Sequence, residues 1–242
     1  MNVRMRMSLT FRYKVGETPE GEPVTAQELE AMYLKDLGED RSNTTALEGL
    51  AALYAGEGRI DESIDYLNRW KAIENDLEQV ALIYLKHGAL REQMGDYPGA
   101  VNFYRAALAH EPESRYIWFF THNNLGFSLI QIGDAESSIP VLQHATEIDP
   151  RRPNAFKNLG LAHQALGDLQ EAAACFVEAT QANATDGRAT AHLEALLEEH
   201  PQLAVDHPEI VVKAAECRAA VEHAQSQQPD WEEIWRMTRY EE

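Results

Sequence analysis

The chain of 242 residues is strongly acidic, with 40 aspartates and glutamates against 21 lysines and arginines and a formal net charge of -19 at pH 7. Such a surface repels phosphate-bearing partners, so we expect neither nucleic acid nor an anionic membrane as a ligand. Hydrophobic residues make up 44% of the chain, enough for a packed core, and no apolar run approaches the ~18 residues of a membrane span. Without a signal-peptide pattern, the cytoplasm is the predicted compartment.

The first segment of the chain, VRMRMSLTFRYKV at residues 3–15, alternates strictly between apolar and polar residues. A period of two predicts a single half-buried β-strand, which needs a partner edge to be stable. Residues 1–16 contain four basic and no acidic residues. Three arrangements fit: pairing with a second copy in a homodimer through residues 3–15, which we favour, addition to the sheet of another protein, or packing along the helical part. With the linker GETPEGEPV, the strand defines a first segment of residues 1–24.

The next element is a helix with a clear start signal. Thr25 and Glu28 have the spacing of a capping box and follow the apolar Val24. We therefore predict a helix that starts near Ala26 and ends at Gly38.

A repeated pattern fills the middle of the chain. Three segments align without internal gaps: HGALREQMGDYPGAVNFYRAALAHEP, NLGFSLIQIGDAESSIPVLQHATEIDP and NLGLAHQALGDLQEAAACFVEATQANA. Gly88, Gly126 and Gly160 occupy one shared position, at spacings of 38 and 34 residues. This pattern resembles the tetratricopeptide repeat, a helix-turn-helix unit of about 34 residues. The resemblance implies an all-α fold, a right-handed superhelix of stacked helix pairs, over residues 25–200.

The resemblance also implies where the helices of each pair cross. Small residues stand at these positions, because larger side chains would hold the helix backbones apart. They are Gly88, Ala100 and Ala107, then Gly126, Ser138 and Ala145, then Gly160, Ala172 and Ala179. An earlier repeat, ALEGLAALYAGEGRIDESIDYLNRW, fits at Ala51 and Ser63 but has Trp70 at the third position. About four repeats plus flanking helices are therefore expected.

The chain ends in further helices and a tail, residues 201–242. GRATAHLEALLEEH reads as an unfinished fifth repeat or a cap, and DHPEIVVKAAECRAAVEHA as a helix that begins with a capping residue and a proline. Trp231, Ile234 and Trp235 would share one face of a last short helix. We expect these segments to cap the helical stack.

In proteins of this family, the first helices of the repeats line a concave groove. By resemblance, that groove is lined by amides, cations and aromatic rings. Asparagine amides both donate and accept hydrogen bonds, which suits the backbone of an extended peptide. The predicted peptide-binding residues are Lys86, Tyr116, Phe120, Asn123, Asn124, Phe127, Gln131, Asn154, Lys157, Asn158, Gln164, Arg188 and His192. Leu85, Glu92, Gln93, Ile130 and Leu161 occupy further groove positions. Asn123, Asn124 and Asn158 could also simply lie on a solvated helix face.

The third repeat has an excess of four residues, in ESRYIWFF. Extending its first helix backwards by one turn places Tyr116, Phe120 and Phe127 on one face together with an asparagine. Trp118 and Phe119 are expected to fill the joint that the longer repeat makes. Phe120 and Phe127 suit either role equally, contact with a ligand or filling of that joint.

Some family members grip a terminal carboxylate with lysines and asparagines spread over three repeats. Lys157 and Asn124 fit parts of such a clamp, but Glu48, Ala52, Leu85 and Ala89 stand at other clamp positions. A complete clamp is therefore not expected.

We find no sequence motif of nucleophilic, metal or nucleotide-dependent catalysis. The two cysteines, Cys175 and Cys217, lack metal-ligand spacing and are typical of free thiols. We predict a non-enzymatic adaptor without metal or cofactor that holds a peptide or helix of a partner protein. The alternative is a structural protein that forms homo-oligomers through its N-terminal strand and tryptophan-containing tail.

Overall fold

A computed structural model describes residues 25–227, and all regular secondary structure in that range is helical. This confirms the all-α prediction for those residues. The strand predicted at residues 3–15 and the tail from Trp231 lie outside them. The helices are α1 (Ala26–Glu39), α2 (Thr44–Glu57), α3 (Ile60–Ile73), α4 (Leu77–Gln93), α5 (Tyr97–Leu108), α6 (Arg115–Gln131), α7 (Ala135–Ile148), α8 (Pro153–Leu166), α9 (Leu169–Ala182), α10 (Arg188–Glu199), α11 (Pro201–Asp206) and α12 (Pro208–Ser226).

The chain divides into two compact units, residues up to Ser128 and residues from Leu129 onward, which we call the N-terminal and C-terminal units. In the N-terminal unit the capping box predicted at the start of α1 is present. The backbone N–H of Glu28 donates to Oγ1 of Thr25, and the backbone N–H of Thr25 donates to the Glu28 carboxylate. The helix continues one residue beyond Gly38, to Glu39.

Helices α2 and α3 form the first pair of the N-terminal unit, and α4 and α5 form the second. The core of the first pair contains Leu47, Leu50 and Leu67. Trp70, which departs from the repeat pattern, is 2% exposed and donates its indole N–H to Glu74 at 3.0 Å. In this pair the indole therefore occupies the crossing position at which the other repeats have a small residue and a closer contact between their two helices.

The C-terminal unit contains α7 to α12. Helix α8 packs against α7 and α9, and α9 packs in turn against α10 and α12. Its core is formed by Phe176, Leu193, Leu196, Ile210 and Cys217. Helix α12 starts at Pro208, and the side chain of the preceding His207 makes no capping hydrogen bond.

The turns within the helix pairs share one backbone feature. Gly58, Gly95, Gly133 and Gly167 have φ between 77° and 85°, a left-handed conformation that favours glycine because a Cβ would be strained there. Gly95, Gly133 and Gly167 occupy a second position that the three aligned segments share, and the left-handed turn explains why glycine recurs there. No helix between residues 25 and 227 is long and apolar enough to cross a membrane.

The small residues predicted at the helix crossings are buried, and two of the glycines touch aromatic rings. A Cβ on Gly88 would lie 2.3 Å from Cε1 of Tyr104, and one on Gly160 would lie 2.6 Å from Cε1 of Phe176. Neither ring has exposed surface. Each ring therefore lies directly on the backbone of the first helix of its pair, which only glycine permits.

We expect Gly160→Ala to lower the free energy of unfolding by about 1–3 kcal/mol, because the buried ring of Phe176 cannot move away from the added methyl group. Urea denaturation followed by circular dichroism measures this change. Gly38→Ala is the control, since a Cβ there meets no atom within 4 Å, and it should gain about 0.5–1 kcal/mol. A Gly160→Ala protein as stable as the wild type would contradict the close approach.

Candidate functional site

The structure divides the predicted binding residues between the two units. The N-terminal unit contains Lys86, Tyr116, Phe120, Asn123, Asn124 and Phe127, and the C-terminal unit contains Gln131, Asn154, Lys157, Asn158, Gln164, Arg188 and His192. Five of the polar side chains are more buried than an open binding face would leave them: Lys86, Asn123, Asn124, Lys157 and Asn158 are between 1% and 8% exposed. Polar groups at this depth need partners. Asn123 and Asn124 belong to one polar cluster, and Lys157 belongs to another.

The first cluster, which we call the Glu92 cluster, lies in the N-terminal unit and consists of Glu92, Tyr104, Asn123, Asn124 and Ser128. The hydroxyl of Ser128 donates to Oε1 of Glu92 at 2.6 Å, and the amide of Asn123 donates to Oδ1 of Asn124 at 2.9 Å. The hydroxyl of Tyr104 lies near Glu92 and Asn124 but forms no hydrogen bond of ordinary geometry with either. Burial raises the pKa of Glu92 to about 7, against the two hydroxyls, which lower it.

The basic residues near Glu92 along α4 have other partners. Nζ of Lys86 lies 3.0 Å from Oε1 of Glu48 on α2, and Nη1 of Arg91 lies 3.4 Å from Oδ2 of Asp96. Burial lowers the pKa of Lys86, and Glu48 opposes that shift. Lys86, a predicted ligand contact, thus forms an ion pair between α2 and α4.

The aromatic residues at the start of α6 take two different positions. The helix begins at Arg115, which is one turn earlier relative to Gly126 than the start of α8 is relative to Gly160, as predicted. Helix α4 begins equally early relative to Gly88. Phe119 is buried, whereas Tyr116 is 49% exposed and its ring centroid lies 4.5 Å from that of the half-buried Phe120. Phe127, also half-buried, meets the ring of Tyr97 edge-on. Tyr116 and Phe120 together therefore offer an accessible aromatic pair.

The start of α6 is positioned by a residue that the sequence analysis missed. The carboxylate of Glu78, in the first turn of α4, accepts the backbone N–H groups of Glu113 and Ser114 at 2.8 and 3.1 Å. The four-residue excess is thus fastened to the preceding helix pair. Nothing in the local sequence of Glu78 distinguishes it from a helix-capping acid.

The second cluster, which we call the Lys157 cluster, lies in the C-terminal unit and consists of Asn154, Lys157, Asp186, Arg188 and His192. Lys157 is 5% exposed, and no carboxylate oxygen of residues 25–227 lies within 4 Å of its ammonium group. Burial lowers the pKa of Lys157 to about 8, the positive charge of Arg188 adds to that shift, and Asp186 opposes it. Lys157 is therefore a buried cation without a direct counterion.

Arg188 is held in place by its own neighbours. Its Nε donates to Oδ1 of Asp186 at 2.7 Å, and its Nη2 donates to Oδ1 of Asn154 at 3.0 Å. The Asp186 hydrogen bonds raise the pKa of Arg188 further. Burial, followed by the charges of Lys157 and Arg188, lowers the pKa of His192, whose ring stacks on Phe176. With a neutral histidine, the cluster carries one positive charge more than its aspartate neutralises.

The remaining predicted residues lie apart from these clusters. Gln131 is exposed, Gln164 is half-buried and Asn158 is buried. Cys175 and Cys217 are buried free thiols, and burial raises the pKa of Cys175 to about 12. Across the described range, no three histidine, cysteine or acidic side chains are placed to hold a metal ion.

Comparison with known proteins agrees with this architecture. Helix pairs joined by left-handed glycine turns, with small residues at the crossings, define a helical-repeat protein. Residues 124–187 match the family model described as "Tetratricopeptide repeat". The solved structure of MamA, residues 41 to the end, from Desulfovibrio magneticus RS-1 is 19% identical and covers 77% of this chain and 97% of its own, with a TM-score of 0.60. These similarities identify a tetratricopeptide repeat segment at residues 124–187 and a fold like that of MamA.

Two further similarities concern proteins with described roles. YrrB, described as a TPR protein with an unusual peptide-binding site, is 17% identical over 80% of this chain and 97% of its own, with a TM-score of 0.58. The photosystem I assembly protein Ycf3 of Prochlorococcus marinus subsp. pastoris is 31% identical over 96 residues, 40% of this chain and 55% of the relative. The chain spans about half the length of the curated relatives it matches.

We expect Lys157→Met to raise the free energy of unfolding at pH 7 by about 1–3 kcal/mol, because it removes a buried charge that has no counterion. The folded pKa of about 8 lies below the ordinary 10.5, so the wild type gains stability as the pH rises between these values. The advantage of the variant should therefore vanish above that range. Urea denaturation at pH 7 and pH 11 measures both effects.

The matched control for this experiment is Lys213→Met, which removes an exposed lysine of the same unit and should change stability by less than about 0.5 kcal/mol. A destabilised Lys157→Met protein would show that the ammonium group has a stabilising partner.

Glu92→Gln should change how stability depends on pH. The folded pKa of Glu92, about 7, lies above the ordinary 4.5, so its contribution to stability is complete below 4.5 and is lost as the pH rises through 7. We expect the wild type to lose about 2 kcal/mol relative to the variant between pH 4.5 and pH 8.

The experiment must compare the two proteins, because buried His87 also makes their stability depend on pH. Burial lowers the pKa of His87 to about 4, so its effect on stability with rising pH is opposite to that of Glu92. Urea midpoints of wild type and Glu92→Gln at several pH values provide it. A constant difference across this range would contradict the burial of the Glu92 charge.

Proposed function

We propose that the protein is a non-enzymatic adaptor that binds a segment of a partner protein along the first helices of its repeats, with an acidic group of that segment at the Lys157 cluster. The single observation that carries this proposal is the buried ammonium group of Lys157, which no carboxylate of the described residues neutralises. Arg188 lies in electrostatic range of that group and is oriented by Asp186 and Asn154.

A buried cation without a counterion destabilises the free protein. A ligand carboxylate offsets that penalty when it binds, because it supplies the missing charge in a poorly solvated place. The donors near this position are of the right kind. Oδ1 of Asn154 accepts from Arg188, so the amide NH₂ group of Asn154 is a donor beside the two cations. Such a set of donors suits an acceptor-only group with two oxygens.

The charge of the cluster favours a carboxylate over a phosphate. Lys157 and Arg188 are opposed by Asp186, and His192 is held neutral by burial and by its cationic neighbours. The excess is one positive charge, which a monovalent carboxylate matches. The net charge of -19 on the chain opposes polyanions.

The N-terminal unit supplies contacts of another kind. Tyr116 and Phe120 form a partly exposed aromatic pair, and aromatic side chains of this kind anchor many protein interfaces. In the proposal, this pair and Phe127 contact apolar side chains of the partner.

The similarities point to protein partners. YrrB is described as having a peptide-binding site, and Ycf3 is named for the assembly of photosystem I. The family resemblance supports a scaffold that holds a partner and transforms no substrate. The alternative role, a structural protein that builds homo-oligomers through its ends, involves residues 3–15 and the tail.

A displayed library of random peptides, selected against the full chain, tests the adaptor. We expect enrichment of acidic peptides, and synthetic copies should bind more weakly by about tenfold or more to Lys157→Met and to Tyr116→Ala, as measured by fluorescence anisotropy. The first variant removes the positive charge of Lys157, and the second removes an aromatic ring that is 49% exposed.

Lys213→Met and Leu166→Ala are matched controls at exposed positions, and both should bind like the wild type. Equal binding of the peptides to Lys157→Met, or selection without acidic residues, would overturn the proposal. Light scattering on the same proteins distinguishes the two roles. A structural assembly protein should change its mass with the substitutions, whereas an adaptor should keep its mass.

A further inference from the structure

The Glu92 cluster has the opposite character to the Lys157 cluster. Glu92 is half-buried, and no basic side chain of the described residues lies within 4 Å of its carboxylate. The two basic residues nearest to it along α4 are directed elsewhere. Lys86 pairs with Glu48, and Arg91 pairs with Asp96. The helix thus contains cations within two turns of Glu92 but uses each of them for a different acid.

Hydrogen bonds and close polar contacts connect the side chains of the cluster to Glu92. Ser128 donates to Oε1 of the carboxylate, and the amide of Asn123 donates to the carbonyl oxygen of Asn124. With that oxygen occupied, the NH₂ group of Asn124 is its remaining polar group and lies near the Tyr104 hydroxyl. Tyr104 has no exposed surface, and burial, followed by the Glu92 charge, raises its pKa well above the ordinary value. Tyr104 therefore stays a neutral hydroxyl whose proton is available to Glu92.

These contacts orient the carboxylate but leave its charge without compensation. A carboxylate has about four acceptor positions, and the described hydrogen bonds use one of them on Oε1. Hydroxyl donors reduce the cost of burying the charge, whereas only a cation removes it. A neutral ligand group would gain one hydrogen bond, while an ammonium or guanidinium group would gain both the bond and the charge.

We propose that the Glu92 cluster is a binding site for a cationic side chain, lysine or arginine, of the partner protein. The cation lies against the Glu92 carboxylate, which the hydroxyl of Ser128 orients. This inference rests on the proposed adaptor function, because it names a second feature of the ligand. It concerns different residues in a different unit, so it can fail while acid recognition at Lys157 stands.

Nuclear magnetic resonance on the full chain with ¹³C-labelled glutamate tests the site directly. The probes are N-acetyl-lysine methylamide and N-acetyl-arginine methylamide, and N-acetyl-norleucine methylamide is the uncharged analogue of the lysine probe. We expect saturable shifts of the Glu92 Cδ signal with one or both cationic probes. Saturation should need at least about tenfold higher concentration with norleucine. The lysine and arginine probes also show whether an ammonium or a guanidinium group fits better.

The pH titration of the same signal gives a second readout. The groups that face Glu92 are Tyr104 on α5 and Asn124 and Ser128 on α6, and none of them changes charge near neutral pH. A bound cation stabilises the charged carboxylate, so the titration midpoint should fall when the lysine probe is added. Norleucine should leave it unchanged.

The Glu92→Gln protein lacks the Glu92 carboxylate signal, so the backbone amide signals of Asn124 and Ser128 report binding in the wild type and the variant alike. The substitution should abolish their saturable shifts with the cationic probes, since the glutamine amide oxygen still accepts from Ser128 but carries no charge. Glu113→Gln, at an exposed glutamate of the same unit, is the matched control and should keep them. An unchanged amide spectrum outside the cluster shows that Glu92→Gln is folded. Absence of saturable shifts with both cationic probes, equal binding of norleucine, or full retention by Glu92→Gln would overturn the site. The peptide selection at Lys157 is unaffected by any of these results.

Discussion

The close approach of the two helices within each pair is the constraint on which the other features of this structure depend. At Gly88 and Gly160 an aromatic ring of the second helix lies on the backbone of the first, so the helices are nearer than side chains would otherwise allow. Because Tyr104 and Phe176 reach across the pair in this way, they also touch the polar faces of the first helices. Tyr104 brings a hydroxyl to Glu92, and Phe176 supports the ring of His192. Tyr104 and Phe176, which set the packing of the helices, thus also contact residues of the two polar clusters.

Close packing explains why charged groups of the first helices are buried. A lysine or glutamate on such a face has its stem covered by the neighbouring helices, and its charge loses solvent unless it can reach the surface. The structure resolves this conflict in two ways. Lys86 is paired with Glu48 from the adjacent pair, which makes it part of the scaffold. Glu92 has only neutral hydroxyl groups beside it, and Lys157 has only the more distant charges of Asp186 and Arg188. Their pKa values shift toward neutrality as a consequence.

The fold was predictable from the sequence because its determinants are local and repeated. The shared glycines, the small crossing residues and the longer start of α6 were read correctly, since each depends on a residue type at a fixed spacing. The candidate site was less predictable. The repeat spacing placed Lys86 and Lys157 on equivalent helix faces. In the structure Lys86 pairs with a carboxylate and Lys157 does not, because the partner of Lys86 comes from another helix. Asp186 was missed for the same reason: it lies in a turn, and only the folded chain shows that it orients Arg188.

A buried charge without a counterion has a further consequence for specificity. A ligand that supplies the opposite charge gains an interaction in a poorly solvated place, whereas a ligand that lacks it covers the charge more deeply and leaves it unpaired. Discrimination at such a site therefore comes as much from the penalty on wrong ligands as from the attraction of right ones. Lys157 presents a positive charge and Glu92 a negative one, so the two proposed sites select groups of opposite sign. Selection by opposite charges lets an acidic protein distinguish a particular partner segment from the many basic segments that its net charge attracts.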